Sequence, residues 1–120
     1  MNFLQHDEFV NELKKLSKYP SLQGGLDSVK RLLEKQFDPN NPEVVIPPGK
    51  IHRVHQNTVW SLWKIEVVLP KSGLRPSQWP RMWFAVSGDK IAFLCIAAHM
   101  QNYDNNTIDA LATSRASDYF

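Results

Sequence analysis

Residues 59–69 read Val-Trp-Ser-Leu-Trp-Lys-Ile-Glu-Val-Val-Leu. β-Branched and aromatic side chains dominate, and they alternate. Trp63, Ile65, Val67 and Leu69 fall on one side of an extended chain, Leu62, Lys64 and Glu66 on the other. Such a strand faces a core on one side and a more polar environment on the other. The theme repeats downstream. After a loop from Pro70 to Pro80, Arg81–Val86 set Met82, Phe84 and Val86 against Arg81, Trp83 and Ala85. Ser87-Gly88-Asp89-Lys90 has the glycine-bearing composition of a hairpin turn. Ile91 to Ala98 is apolar at every position, which predicts a strand covered on both faces.

Upstream the periodicity changes to that of helices. Asp7 suits an N-cap, and Phe9, Leu13 and Leu16 follow at helical spacing with Val10 beside them. Tyr19-Pro20 ends this helix and Gly24-Gly25 loosens the connection. Leu26, Val29, Leu33 and Phe37 mark one face of a second helix, stopped by Asp38-Pro39-Asn40-Asn41-Pro42. Residues 105–120 read as a further helix with a weak stripe of Ile108, Leu111 and Ala112, capped by Asn106 or Thr107. Asn2–Gln5 carries a faint strand signal. The expected fold is α+β: a small antiparallel β-sheet packed against an N-terminal helical hairpin, with a short C-terminal helix, in one domain over residues 1–120.

Composition narrows the class. Hydrophobic content of 42% and charged content of 22% fit a folded domain rather than a disordered chain. The lone Cys95 excludes an intramolecular disulfide framework and a cysteine-cluster zinc site, and fits a reducing compartment. The longest apolar run, Ile91 to Ala98, falls far short of the roughly 20 residues of a membrane helix. The first residues lack the basic and apolar regions of a secretory signal. A cytoplasmic protein with no membrane partner is expected.

The net charge of +2 conceals an uneven distribution. Residues 50–81 hold Lys50, Arg53, Lys64, Lys71, Arg75 and Arg81 against Glu66 alone, while the segments on either side are net acidic. Trp60, Trp63, Trp79 and Trp83 are interleaved with these cations or follow them closely. Cations meet phosphates and flat rings stack on unpaired bases, so the combination suits a nucleic-acid surface. It equally suits a solvated face over buried indoles. Trp63 is in register with the core residues, Trp83 shares a face with Arg81 and is the better stacking candidate, and Trp79 fits either role.

If the helices cover the apolar face, Lys64, Glu66, Arg81 and Trp83 share the open one, with His99 at the end of the last strand and Tyr103 beyond it. This set is suited to cleavage of a phosphodiester by the adjacent 2′-hydroxyl. That reaction needs a base, an acid and positive charge on the phosphorane oxygens. Each residue also has an ordinary structural role: a strand-end hydrogen bond for His99, a cross-strand pair for Lys64 and Glu66, an indole stack for Arg81, a buried anchor for Tyr103. His52 and His55 have a spacing that suits a metal but lack carboxylate or cysteine companions. No phosphate-binding glycine loop and no nucleophile elbow occurs, and no cofactor or metal is expected.

The order of these elements resembles the RelE/ParE superfamily of bacterial toxins, whose members include RelE, HigB, YoeB and YafQ. The resemblance runs from about Phe3 to Ala112 and is sharpest from Trp60 to Tyr103, through Leu-Trp-Lys-Ile, Pro-Arg-Met-Trp-Phe-Ala-Val and Lys-Ile-Ala-Phe-Leu-Cys-Ile-Ala-Ala-His. It implies the toxin of a type II toxin–antitoxin system: a ribosome-dependent messenger-RNA endonuclease, neutralised by a cognate antitoxin protein. His99 would then be the acid/base, Arg81 and Lys64 the transition-state clamps, and Tyr103 or Trp83 the stacking group. Lys50, Arg53 and Arg75 are the further cations for the RNA. The ParE branch, which shares the fold and inhibits DNA gyrase, and a non-catalytic RNA- or protein-binding domain are the alternatives. The Lys71–Pro80 insertion and the modest net charge depart from the family pattern.

Overall fold

A computed structural model describes residues 1–98 and 104–120. The elements run β1 (Asn2–Gln5), α1 (Asp7–Lys14), α2 (Leu22–Gln36), β2 (Ile51–Gln56), β3 (Ser61–Glu66), β4 (Arg81–Ser87), β5 (Lys90–Ala97) and α3 (Asn105–Ala116). The fold is α+β, with five strands in the order β1-β5-β4-β3-β2. The sheet is mixed rather than antiparallel throughout. β2 to β5 form an antiparallel meander, but β1 lies parallel to β5, because β1 leads into helices instead of a hairpin. Gly88, at φ +58°, takes the first place of the two-residue turn between β4 and β5, where positive φ lets the turn follow the strand twist.

Each face of the sheet has its own core. Phe9, Leu26, Val29 and Leu33 from α1 and α2 bury Ile65, Met82, Phe84, Ile91 and Phe93 on one face. Ala112 and Ala116 of α3 cover Leu62, Trp83, Ala85, Ala92 and Leu94 on the other. β5 is therefore covered on both sides, as its unbroken apolar run predicts. A bulge opposite Trp83–Phe84 interrupts the alternation, so Leu94 and Cys95 both join the α3 side and Phe93 the other.

Several helix boundaries differ from the sequence expectation. His6, not Asp7, caps α1: its Nδ1 accepts the backbone N–H of Glu8 at 3.1 Å. α1 ends at Lys14, well before Tyr19-Pro20, and the chain continues in turns that still bury Leu16. Asp104 rather than Asn106 or Thr107 caps α3, accepting from Asn106 N at 3.1 Å. Of the expected apolar stripe of α3, Ile108 and Ala112 pack against the sheet together with Arg115 and Ala116, whereas Leu111 is exposed. Gly24 and Gly25 lie inside α2 rather than in a connection. A β-carbon on Gly25 would stand 2.7 Å from the Val68 carbonyl oxygen and 3.0 Å from Val67 Cγ1. The glycine there lets α2 approach the chain just past β3, whereas Gly24 faces open space.

β1 stops opposite Phe93, and beyond it two backbone groups of β5 are bonded by side chains. Arg115 Nη1 donates to the Leu94 carbonyl at 2.7 Å, and Ile96 N donates to Glu12 Oε1 at 3.2 Å. Arg115 and Glu12 are themselves paired at 3.0 Å. An ion pair between α1 and α3 thus seals the strand edge where β1 runs out. Cys95 Sγ lies 3.3 Å from the same Arg115 nitrogen. Burial pushes its thiol from 9.0 up to about 12, against the pull of the Arg115 charge, so it is packing rather than a nucleophile.

Two predictions follow from these contacts. Gly24→Ala raises the urea midpoint by an amount equivalent to about 0.5–1 kcal/mol, whereas Gly25→Ala lowers it by about 1–3 kcal/mol because backbone must move. Arg115→Ala strands the Glu12 carboxylate and the Leu94 carbonyl together. It should cost about 3 kcal/mol by the same measurement.

Candidate functional site

Strand register decides which cations meet. Lys64 on β3 is paired with His52 on β2 and with Trp83 on β4, and Glu66 is paired with Arg81. Directly paired residues share a face, so His52, Lys64, Glu66 and Arg81 lie together on the α3 side of the sheet. α3 covers only part of that face. Two adjoining hollows, of about 80 and 460 Å³, remain beside it and share His52, Lys64 and Arg81. Lys50 and Glu66 border the smaller one, with Lys50 Nζ 4.0 Å from Glu66 Oε1. Asp109 of α3 borders the larger one.

The expected open face is therefore half roofed, and this corrects the role assigned to Trp83. It is completely buried, with its Nε1 donating to Asp109 Oδ1 at 2.8 Å, so it cannot stack on a base. The same Asp109 oxygen lies 3.9 Å from Lys64 Nζ. Lys64 also stands 6.0 Å from the Trp83 ring centroid. Its ammonium is thus held between an indole face below and a carboxylate at the side, a fixed cation at the floor of the hollow.

The other expected residues divide. Lys50 reaches the site. Arg53 borders the larger hollow but is paired with Trp63, with its guanidinium 6.0 Å from that ring. Arg75 is exposed in the β3–β4 connection and lines neither hollow. His99 and Tyr103 lie outside the described residues. Trp63 packs against the core of the α1–α2 face, meeting Phe37 at 5.2 Å, as its register predicts. His55 lies against Trp60 at 5.4 Å.

Sequence reasoning missed His52 and Asp109 as site residues. His52 stands beside Lys64 because β2 bulges between Arg53 and His55. Counting back from the Asn57 turn without that bulge sets Arg53 against Lys64 and sends His52 to the other face. The turn itself is legible: Asn57 Oδ1 accepts from Val59 N and Trp60 N, both at 2.8 Å. The one-residue slip is not. Asp109 carried no signal beyond being a helix charge.

Two cations on adjacent strands, an imidazole and a carboxylate around one open hollow can bind a phosphate, stabilise added negative charge and move a proton. Among the described residues no helix is long and apolar enough to cross a membrane, and no three metal-ligating side chains cluster. No family model, curated protein or solved structure matches the chain.

Asp109 has two separable jobs, and two substitutions part them. Asp109→Asn keeps an oxygen for the Trp83 indole and leaves the urea midpoint nearly unchanged. Asp109→Ala orphans that buried N–H and lowers stability by about 1–3 kcal/mol.

Proposed function

We propose that the chain is the toxin of a type II toxin–antitoxin pair, an endoribonuclease that cuts messenger RNA on the ribosome and is held inactive by a cognate antitoxin in the cytoplasm. The observation that carries this reading is the convergence of Lys64 and Arg81 with His52 and Glu66 on one partly open sheet face. The resemblance of the sequence to the RelE family supports it, and the helices flank a sheet whose α3 face is only partly covered. So does the concentration of positive charge in residues 50–81.

In this reading the scissile phosphate enters the hollow over Lys64 and Arg81. A general base, His52 or Glu66, removes the 2′-hydroxyl proton. The 2′ oxygen forms a bond to phosphorus as the bond to the 5′ oxygen breaks. Lys64 and Arg81 carry the charge that builds on the non-bridging oxygens. An acid then protonates the departing 5′ oxygen, leaving a 2′,3′-cyclic phosphate. His99 is the acid by resemblance, and Tyr103 the group that packs on the RNA. With Trp83 enclosed, stacking falls to Tyr103 or to residues outside the sheet face. Arg53 and Arg75 act as outlying phosphate contacts.

Induced expression tests this. The wild-type chain should arrest growth and leave codon-positioned breaks in messenger RNA. Arg81→Ala and Lys64→Ala should each reduce cleavage by about 10²-fold or more, and His52→Ala by a comparable factor. Normal growth, or arrest indifferent to all three substitutions, sinks the proposal. Arrest with intact messages and DNA-damage signalling moves the chain to the gyrase-inhibiting branch.

A further inference from the structure

A second cavity lies against the proposed catalytic hollow, on the other side of β3. It measures about 330 Å³, at the lower end of the range of small-ligand sites, and is walled by Val29, Leu32, Ile46, Ile65, Val68 and Trp79. Its lining is almost wholly apolar apart from Ser28, Lys50 and Glu66. Lys50, Ile65 and Glu66 border both this cavity and the smaller hollow, so the two spaces adjoin at the end of β3. Leu32 and Val68 at its mouth remain 37% and 48% exposed. Trp79 brings an aromatic surface.

We infer that this cavity holds an unpaired nucleobase of the RNA whose phosphate occupies the neighbouring hollow. The inference rests on the function proposed above and adds a base-binding pocket to it. The fit is chemical. An occupant must be flat and largely apolar to lie against Trp79, and continue into an anion next door. A nucleotide has that division: base, ribose and phosphate in sequence. At the shared border, Glu66 can accept from an exocyclic amino group and Lys50 can donate to a ring nitrogen or carbonyl. Stacking on an aromatic ring is tolerant of base identity, so Lys50 and Glu66 would supply such preference as exists. An aliphatic ligand would gain nothing from the cations alongside.

Fluorescence anisotropy with two labelled chains tests the pocket: a single-stranded RNA octamer and an octamer of the same backbone with abasic residues. The wild-type protein should bind the base-bearing chain roughly tenfold more tightly. Leu32→Trp fills the cavity mouth and should bring that preference to within about twofold, with the salt dependence of binding to either chain unchanged, since that reports the phosphate contacts. Val68→Trp fills the mouth from the opposite wall and guards against a fold defect in the first variant. Equal binding of both chains by the wild-type protein overturns the pocket and leaves the phosphate hollow standing. So does a preference that survives both substitutions. Failure to bind either chain overturns the pocket, while the proposed function stands or falls by the induced-expression test.

Discussion

The pair between Arg115 and Glu12 is the constraint on which the α3 face depends. α3 offers the sheet two alanines and a half-buried Ile108, a modest apolar surface for fixing a helix. Its position comes from two polar anchors. Arg115 ties its C-terminal turn to Glu12 and to the free edge of β5, and Asp109 ties its middle to the Trp83 indole. With both in place the helix roofs Trp83 and Cys95, sets Asp109 beside Lys64 and leaves the hollow next to Arg81 open. The small alanines matter as much as the bonds, because they let the helix lie close to the strands. A helix held in this way draws the border of the hollow.

The same geometry explains how the site keeps its charge in order. Lys64 faces an acidic neighbour on α3, and Glu66 faces Arg81 across the strands. Cations gathered for a phosphate repel one another when the phosphate is absent, and interspersed carboxylates limit that cost. Asp109 also has its position set by the indole it accepts from, so Lys64 stays beside the ring instead of extending into solvent.

Much of this was legible in the sequence, and the parts that were not share a cause. The alternation assigns Leu62 to Glu66 and Arg81 to Val86 to the faces they occupy, though the strand expected to run on to Leu69 leaves the sheet after Glu66 and Val68 lines the cavity beside Ile65. The apolar run of β5 announces cover on both sides. These are local patterns. What escaped is non-local. Whether the face of Trp83 is open depends on α3, whose apolar stripe is too weak to declare a partner. The double glycine reads as a loop because the demand for Gly25 comes from a carbonyl more than forty residues later, at Val68. The place of His52 depends on a single extra residue near Val54. A bulge leaves no trace in composition, yet it exchanges the faces of its neighbours.

The pairing of β1 with β5 bears on how the domain comes into being. Asn2–Gln5 finds its partner only at Lys90–Phe93, and α1 and α3 meet over the same strand. The β2–β5 meander can assemble by successive neighbours, each closing a short loop, whereas β1 and the Glu12–Arg115 pair must close nearly the whole chain. The long closures belong to β1 and α1, whereas Asp109 reaches Trp83 and Arg115 reaches Leu94 over only 26 and 21 residues. By the same loop-closure cost α3 can settle on the meander before α1 arrives, and Glu12 then fastens it from the opposite side of the sheet edge. If that face carries the chemistry proposed for it, its border would be laid down by the strands and helix of the later half of the chain and only locked by the earlier half.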